Sequence, residues 1–301
     1  MKLFSGTSNR PLAEKVAKEL KLKLSLPEIH IFPDGEKRIR ILEKVVDKHT
    51  AVIQPTSTPA PDNYMELFFI VDGLQRSGAK SVTVVIPYLG YQRQDHVFRD
   101  GEAVSLDVVV KMLEALKIDK LVAFDLHSVR IQDIFKVPMS HLSALPIFAE
   151  KIKKEKWNRN STVLVSPDMG GIRRVKILSD LLNGMPFASI QKERDLATGE
   201  VSVAGSKGLD GYDRVIIVDD MISSGGTIAM ASDFLKRKGV KEIFVFATHP
   251  VFSDESKKIL QSSSVKQVFV TDTIDIPENK KFPKLQILSV APVIAAQLKQ
   301  L

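Results

Sequence analysis

The stretch from Val215 to Ile228, VIIVDDMISSGGTI, carries the densest chemistry in the chain. An apolar run ends in two carboxylates, Asp219 and Asp220, and a small hydroxyl-rich loop then opens a helix. Ligands in open α/β sheets bind at the carboxyl ends of the strands. The free N–H groups of such a loop, with the helix N-terminus behind them, favour a phosphate. Gly225 and Gly226 let the backbone approach closely. Ser223, Ser224 and Thr227 supply hydroxyl donors. The two acids would repel a phosphate, so they suit neighbouring ribose hydroxyls or a metal ion. The blander account is a capped helix after a strand that ends in solvated acids. Two acids packed together with Ser, Gly and Thr weigh against it.

Other positions are weaker when taken alone. His127 follows an apolar run and is flanked by Asp125 and Ser128, yet a lone His is more often structural than a ligand. Asp168 precedes Gly170, Gly171 and a helical segment, which also describes a plain N-terminal cap. Lys192 and Arg194 lie in the polar stretch Gln191–Gly205, which reads as a solvated, lid-like loop. Trp157 reads as a helix-surface residue, and Lys151, Lys153, Lys154 and Lys156 as a solvated face. Neither Gly-x-Gly-x-x-Gly nor Gly-x₄-Gly-Lys-Ser/Thr occurs, so a dinucleotide site or P-loop ATP binding has no support.

The elements that must position these residues alternate in type. Short β-branched runs at 51–53, 81–86, 121–124, 162–165, 215–218 and 243–247 are apolar on both faces, as central parallel strands are. Between them lie helix-like segments at 63–76, 105–116, 170–182 and 227–238. This rhythm predicts an α/β fold with largely parallel sheets. A weak internal repeat accompanies it. Leu74–Lys80 (LQRSGAK) and Leu235–Lys241 (LKRKGVK) each precede a strand, with Gly at the left-handed position that ends a helix. Leu116–Lys120 is a looser copy. Two similar domains are the simplest account, 1–143 and 144–284, with 285–301 packing back on the first as a strand and helix.

At 301 residues the chain suits about two domains of roughly 150 residues each. Its 43 Lys+Arg against 36 Asp+Glu give +7, too mixed for a dedicated nucleic-acid binder. Without cysteine there are no disulfides, thiolate zinc sites or Cys nucleophiles. MKLFSGTSNR holds no signal-like apolar run, and no stretch approaches the ~18 apolar residues of a membrane span. A cytoplasmic protein without membrane or nucleic-acid partners is expected.

The Val215–Ile228 segment resembles the phosphoribosyl-diphosphate (PRPP) binding motif of phosphoribosyltransferases and of the ribose-phosphate diphosphokinases, the PRPP synthetases. The likeness to the synthetases then spreads from residue 32 to residue 274. Phe32–Glu36 (FPDGE), Pro87–Asp95 (PYLGYQRQD), Asp125–Gln132 (DLHSVRIQ), Ser166–Gly171 (SPDMGG), Lys192–Arg194 (KER) and Thr271–Ile274 (TDTI) match family motifs in order. The resemblance implies two similar phosphoribosyltransferase-like domains, each a largely parallel sheet flanked by helices. It implies Mg²⁺-dependent transfer of the diphosphoryl group of ATP to the C1 hydroxyl of ribose 5-phosphate, with AMP released, in a homodimer or larger homo-oligomer. Phe32, Asp34, Gly35, Glu36, Arg93 and Gln94 would hold ATP. Arg194, Asp219, Asp220, Ser223, Ser224, Gly225, Gly226 and Thr227 would hold ribose 5-phosphate. His127 and Asp168 would hold the metal, and Lys192 and Arg194 would be the catalytic cations.

Two departures stand out. Most synthetases have Asp where this chain has Ser223, and 96–103 (HVFRDGEA) is not the family's basic regulatory stretch, which argues against control by ADP. A phosphoribosyltransferase would not need the FPDGE, RQD or DLH motifs. A non-catalytic regulatory relative would lack His127, Lys192 or Arg194, and all three are present.

Overall fold

In the first half of the chain the elements are β1 (Lys2–Ser5), α1 (Arg10–Leu20), β2 (Leu24–Ser25), β3 (Glu28–Ile31), β4 (Lys37–Arg40), β5 (His49–Ile53), α2 (Ala60–Arg76), β6 (Ser81–Ile86), α3 (Ser105–Ala115), β7 (Lys120–Phe124), α4 (Ile131–Ile134) and β8 (Met139–Leu142). The second half holds α5 (Leu145–Lys154), β9 (Thr162–Ser166), α6 (Ile172–Leu181), β10 (Phe187–Arg194), β11 (Val201–Ser206), β12 (Arg214–Ile222), α7 (Gly226–Arg237), β13 (Glu242–Pro250), α8 (Ser256–Ser262), β14 (Gln267–Thr271), β15 (Leu285–Leu288) and α9 (Ala291–Leu298). The structure, a computed structural model, describes residues 1–301 apart from 129, 195–200, 207, 208 and 210, and the backbone alone of 191–194 and 201–206.

The chain divides into two units. One comprises Met1–Leu142, Thr273–Asp275 and Ser289–Leu301, the other Ser143–Asp272 and Ile276–Leu288. The first carries a six-stranded sheet in the order β2-β1-β5-β6-β7-β8, parallel throughout. The second carries seven strands, β11-β10-β9-β12-β13-β14-β15, parallel except for β10 with β11. The central strands are buried on both faces because helices cover both sides, which explains their unbroken apolar runs.

Counting main strands along the chain, each sheet has the same order, 2-1-3-4-5-6. Each also receives its antiparallel addition at the same point, between its second and third main strands. In the first unit this is the β3–β4 hairpin, a separate two-stranded sheet. In the second it is β11 paired to β10. The repeat legible in the sequence is thus a repeat of topology.

Three features differ from the sequence reading. Leu285–Leu288 does not join the first unit. It pairs in parallel with β14, and only Ser289–Leu301 returns to the first unit, where α9 packs on α1. The stretch read as a loop from Gln191 is an antiparallel strand pair, with Lys192 opposite Val203 and Arg194 opposite Val201. Trp157 is not on a helix surface. It lies beyond α5, with its ring centroid 4.3 Å from that of Phe244 and the Arg214 guanidinium 5.3 Å above it.

Candidate active site

In the second unit β9 and β12 are neighbours in the sheet, at the place where the strand order reverses direction. Such a switch point opens a crevice at the carboxyl ends of the strands. The loop after β12 enters α7 through Gly225, which is left-handed at φ 84°. A Cβ there would also stand 3.0 Å from Cγ of Leu260. The position is therefore restricted to Gly twice over, by dihedral and by space. The N–H groups of Phe252 and Ser253 donate to the carbonyls of Ile222 (3.0 Å) and Ser223 (3.1 Å), pinning the loop from behind. Gly226 N–H donates to Ser224 Oγ at 3.4 Å.

Asp219 and Asp220 close β12 and are largely buried, their side chains only 17% and 7% exposed. The Asp219 carboxyl accepts the Asp220 N–H at 2.9 Å. Burial pushes this carboxyl well above the usual carboxylate range, and the charge of Asp220 beside it pushes the same way. The Arg174 guanidinium opposes the shift, and Asp168 adds to it. Arg174 projects from α6, with Nη1 3.8 Å from an oxygen of each acid. Sequence reasoning missed it, because no local spacing links α6 to the end of β12. Asp168 does not cap α6 with its side chain; its Oδ1 accepts the N–H of Gly171, the N-cap residue, at 3.1 Å and so closes the turn ahead of the helix. Ser166 Oγ donates to the Asp168 carbonyl at 2.6 Å, and a Cβ on Gly171 would fall 2.5 Å from that hydroxyl. Asp168, Asp219, Asp220, Ser223, Ser224, Gly225, Gly226 and Thr227 thus gather at the ends of two adjacent strands. The side chains of Lys192 and Arg194 lie outside the described residues, and their backbone forms the end of β10.

In the first unit the β3–β4 hairpin presents Phe32, 37% exposed, against His30 edge-on at 4.7 Å. Phe32 N–H donates to the Glu36 carbonyl at 2.8 Å, and Glu36 N–H to Asp34 Oδ1 at 3.1 Å. Gly35 takes the positive φ of 91° that this turn requires. One oxygen of Asp34 is thus already engaged in shaping the turn.

The segment after β6 is fixed by Gly90, where a Cβ would lie 2.3 Å from the Thr56 carbonyl oxygen. Gln94 accepts the Leu106 N–H on its carbonyl at 3.2 Å. Buried Gln92 accepts the His127 N–H at 2.9 Å. His141 Nε2 accepts the Leu126 N–H at 3.0 Å. The loop after β7 is thereby held at two successive amides. A cavity of about 510 Å³ is lined by Arg93, Asp95, His96, His127, Ser128 and Arg130, among others. Asp95 is paired with His96 at 2.6 Å. A cavity carrying two guanidinium groups and one already paired acid suits an anionic ligand. Arg130 was not singled out from the sequence, where it is merely a cation inside the I-Q motif. The 96–103 segment closes on itself, the N–H groups of Phe98 and Arg99 both donating to Glu102 at 3.0 Å.

Among the described residues, no three His, Asp or Glu side chains gather to hold a metal ion. His127 belongs to the first unit and Asp168 to the second. No helix among the described residues is long and apolar enough to cross a membrane.

The strand order, the acid-ended β12 and the glycine entry to α7 define an α/β enzyme of the phosphoribosyltransferase type. Residues 143–284 match the phosphoribosyl transferase domain, and residues 1–116 the N-terminal domain of ribose phosphate pyrophosphokinase. The ribose-phosphate pyrophosphokinase of Fusobacterium nucleatum is 39% identical over 295 residues, 98% of this chain and 93% of that protein. Ribose-phosphate pyrophosphokinase 2 of Enterococcus faecalis is 36% identical over 304 residues, 100% of this chain and 93% of its own. The crystal structure of phosphoribosylpyrophosphate synthetase from Mycobacterium smegmatis matches with a TM-score of 0.90 at 34% identity, over 99% of this chain and 97% of that one. The chain belongs to the ribose-phosphate pyrophosphokinase family.

Proposed function

We propose that the protein makes 5-phosphoribosyl 1-diphosphate from ATP and ribose 5-phosphate, releasing AMP and supplying nucleotide biosynthesis. The observation that carries this reading is the end of β12. Two buried acids stand beside a glycine-entered helix, one element to grip ribose hydroxyls and one to receive the 5-phosphate. In the reaction the C1 hydroxyl oxygen attacks the β-phosphorus of ATP. The bond from that phosphorus to the bridging oxygen breaks, AMP leaves with the oxygen, and the hydroxyl proton passes to solvent. Such transfer needs positioning and charge neutralisation more than covalent chemistry.

Asp219 and Asp220 accept hydrogen bonds from the ribose hydroxyls, and Ser223–Thr227 hold the 5-phosphate. Phe32 packs on adenine, with Asp34, Gly35 and Glu36 as the polar side of that pocket. Arg93 and Gln94 reach the nucleotide. Lys192 and Arg194 meet charge on the transferring phosphorus, and Arg194 also contacts the sugar phosphate. Mg²⁺ prefers oxygen and keeps few protein ligands. Asp168, a carboxylate, and His127 are the residues that would hold the ion, which would neutralise charge on the nucleotide phosphates. The family resemblance supports self-association as a homodimer or larger homo-oligomer. Soluble metabolites as substrates suit the cytoplasm. AMP release from ATP, assayed with and without ribose 5-phosphate, tests the reading. AMP release that does not depend on the sugar phosphate would reject it.

A further inference from the structure

Glu66 lies on α2, is 1% exposed, and belongs to none of the motifs above. Its carboxylate is surrounded by donors. Thr7 gives its N–H at 2.6 Å and its hydroxyl at 2.8 Å, Gln54 gives Nε2 at 3.1 Å, and Lys37 gives Nζ at 2.9 Å. Gln54 is fully buried, and its amide orientation is settled because Oε1 accepts from the Ser8 N–H and hydroxyl. Thr7 follows β1 and Gln54 follows β5, so the carboxylate sits at the switch point of the first sheet. A charge this buried persists only when fully paired.

Lys37 is the link outward. It is the residue after the Phe32–Glu36 turn, and it pairs in register with Ile31, the residue before it. One ion pair therefore holds the base of the turn on both sides. Along β4, Lys37 and Ile39 are the shielded positions and Arg38 and Arg40 the exposed ones, and Ile41, just beyond the strand, is shielded as well. Ile41 lies against α2 so closely that a Cβ on Gly73 would stand 3.1 Å from it. An isolated two-stranded hairpin is only marginally stable in water, so its pose depends on these anchors.

We infer that Glu66 and Lys37 are positioning residues that set the pose of the Phe32–Glu36 turn and thereby the affinity for the adenine nucleotide. The inference rests on the proposed function. Lys37→Met keeps the aliphatic stem and removes the charge, and Lys37→Arg restores the charge. In Lys37→Met, hydrogen exchange quickens at the Phe32 and Gly35 amides, which are bonded across the turn. The KM for ATP rises on the order of tenfold, as the loss of one charge-assisted hydrogen bond implies. The KM for ribose 5-phosphate and kcat change by less than about twofold. Lys37→Arg recovers most of the loss. Glu66→Gln raises the same KM, and the double variant is no worse than the worse single one, because the two act as one unit. Phe32→Ala serves as the control that the turn faces nucleotide. A lowered Tm with an unchanged KM for ATP, or equal rises for both substrates, would overturn the inference, and so would a silent Phe32→Ala. A wild type without turnover would instead sink the proposed function, and the exchange rates alone would then decide whether the pair anchors the hairpin.

Discussion

Nη1 of Arg174 lies 3.8 Å from Oδ1 of Asp219, beyond hydrogen-bond range but within reach of its charge. Its distance to Oδ1 of Asp220 is the same. One largely buried cation thus balances two acids that would otherwise repel each other. Arg174→Met should lower stability by about 1–3 kcal/mol, since it leaves buried charge uncompensated. The KM for ribose 5-phosphate should rise with it, and Arg174→Lys should recover part of both. Thermal melts beside steady-state kinetics check this. Unchanged melting in Arg174→Met would show that the acids do not need the cation.

Asp219 carries a penalty for its position. Its pKa in the folded protein is raised, chiefly by burial and next by Asp220. Stability is therefore full below the ordinary carboxylate range, near pH 4, and is lost as pH rises through the elevated value. Asp219→Asn cannot ionise and escapes the loss. Its Tm should exceed that of the wild type at pH 7 by about 2–4 °C, the shift that about 1 kcal/mol gives in a domain of this size. The gain should vanish towards pH 4. Affinity for ribose 5-phosphate should fall at the same time, and further in Asp220→Asn, with ATP less affected. Melting curves across pH, and the two KM values at pH 7, test both halves.

Gly225→Ala separates strain from clash. The left-handed φ costs a side chain roughly 1–2 kcal/mol wherever it occurs. Gly239, at φ 88° in the same unit, meets nothing within 4 Å of a built Cβ, whereas Gly225 meets Leu260. Gly239→Ala should therefore show the strain alone. Gly225→Ala should cost more in urea unfolding and should also raise the KM for ribose 5-phosphate several-fold. Equal unfolding costs would show that Leu260 yields.

In the proposed reaction Lys192 would meet charge that develops only as the phosphorus transfers. Contacts made only in the transition state lower kcat and spare binding. Lys192→Ala should lose ~10²–10³ in kcat, with KM values changed only a few-fold. Lys192→Arg should regain part of the rate, since charge survives while shape does not. A near-normal kcat in Lys192→Ala would remove this residue from the mechanism.

Much of the fold was legible because the central strands are apolar on both faces, so runs such as Val215–Val218 could hardly be anything else. The acids late in β12 and the glycines just after it were legible because they are almost contiguous in the sequence. The β3–β4 hairpin was missed because EIHI and KRIR are only four residues each and half polar, too short for an alternation to stand out in the sequence. Arg174 and Glu66 were missed for a different reason. Each acts on partners far away in sequence, and only the pairing of β9 with β12, or of β1 with β5, brings them together. Leu285–Leu288 is apolar enough for either sheet, and its register with β14, Val268 opposite Leu285, decides the matter.

The return of α9 to α1 makes the second unit an insertion within the first. Synthesis on the ribosome runs in one direction, and domains tend to fold in order of emergence. Here that order is broken. The face of α1 that packs on α9 meets its partner helix only after the entire second unit has been made. A nascent chain paused after β15 would carry a finished second unit and an unfinished first one, leaving that face to chaperones or to neighbouring chains. Cutting this enzyme between its units would therefore yield one fragment that can complete itself and one that must borrow its last helix.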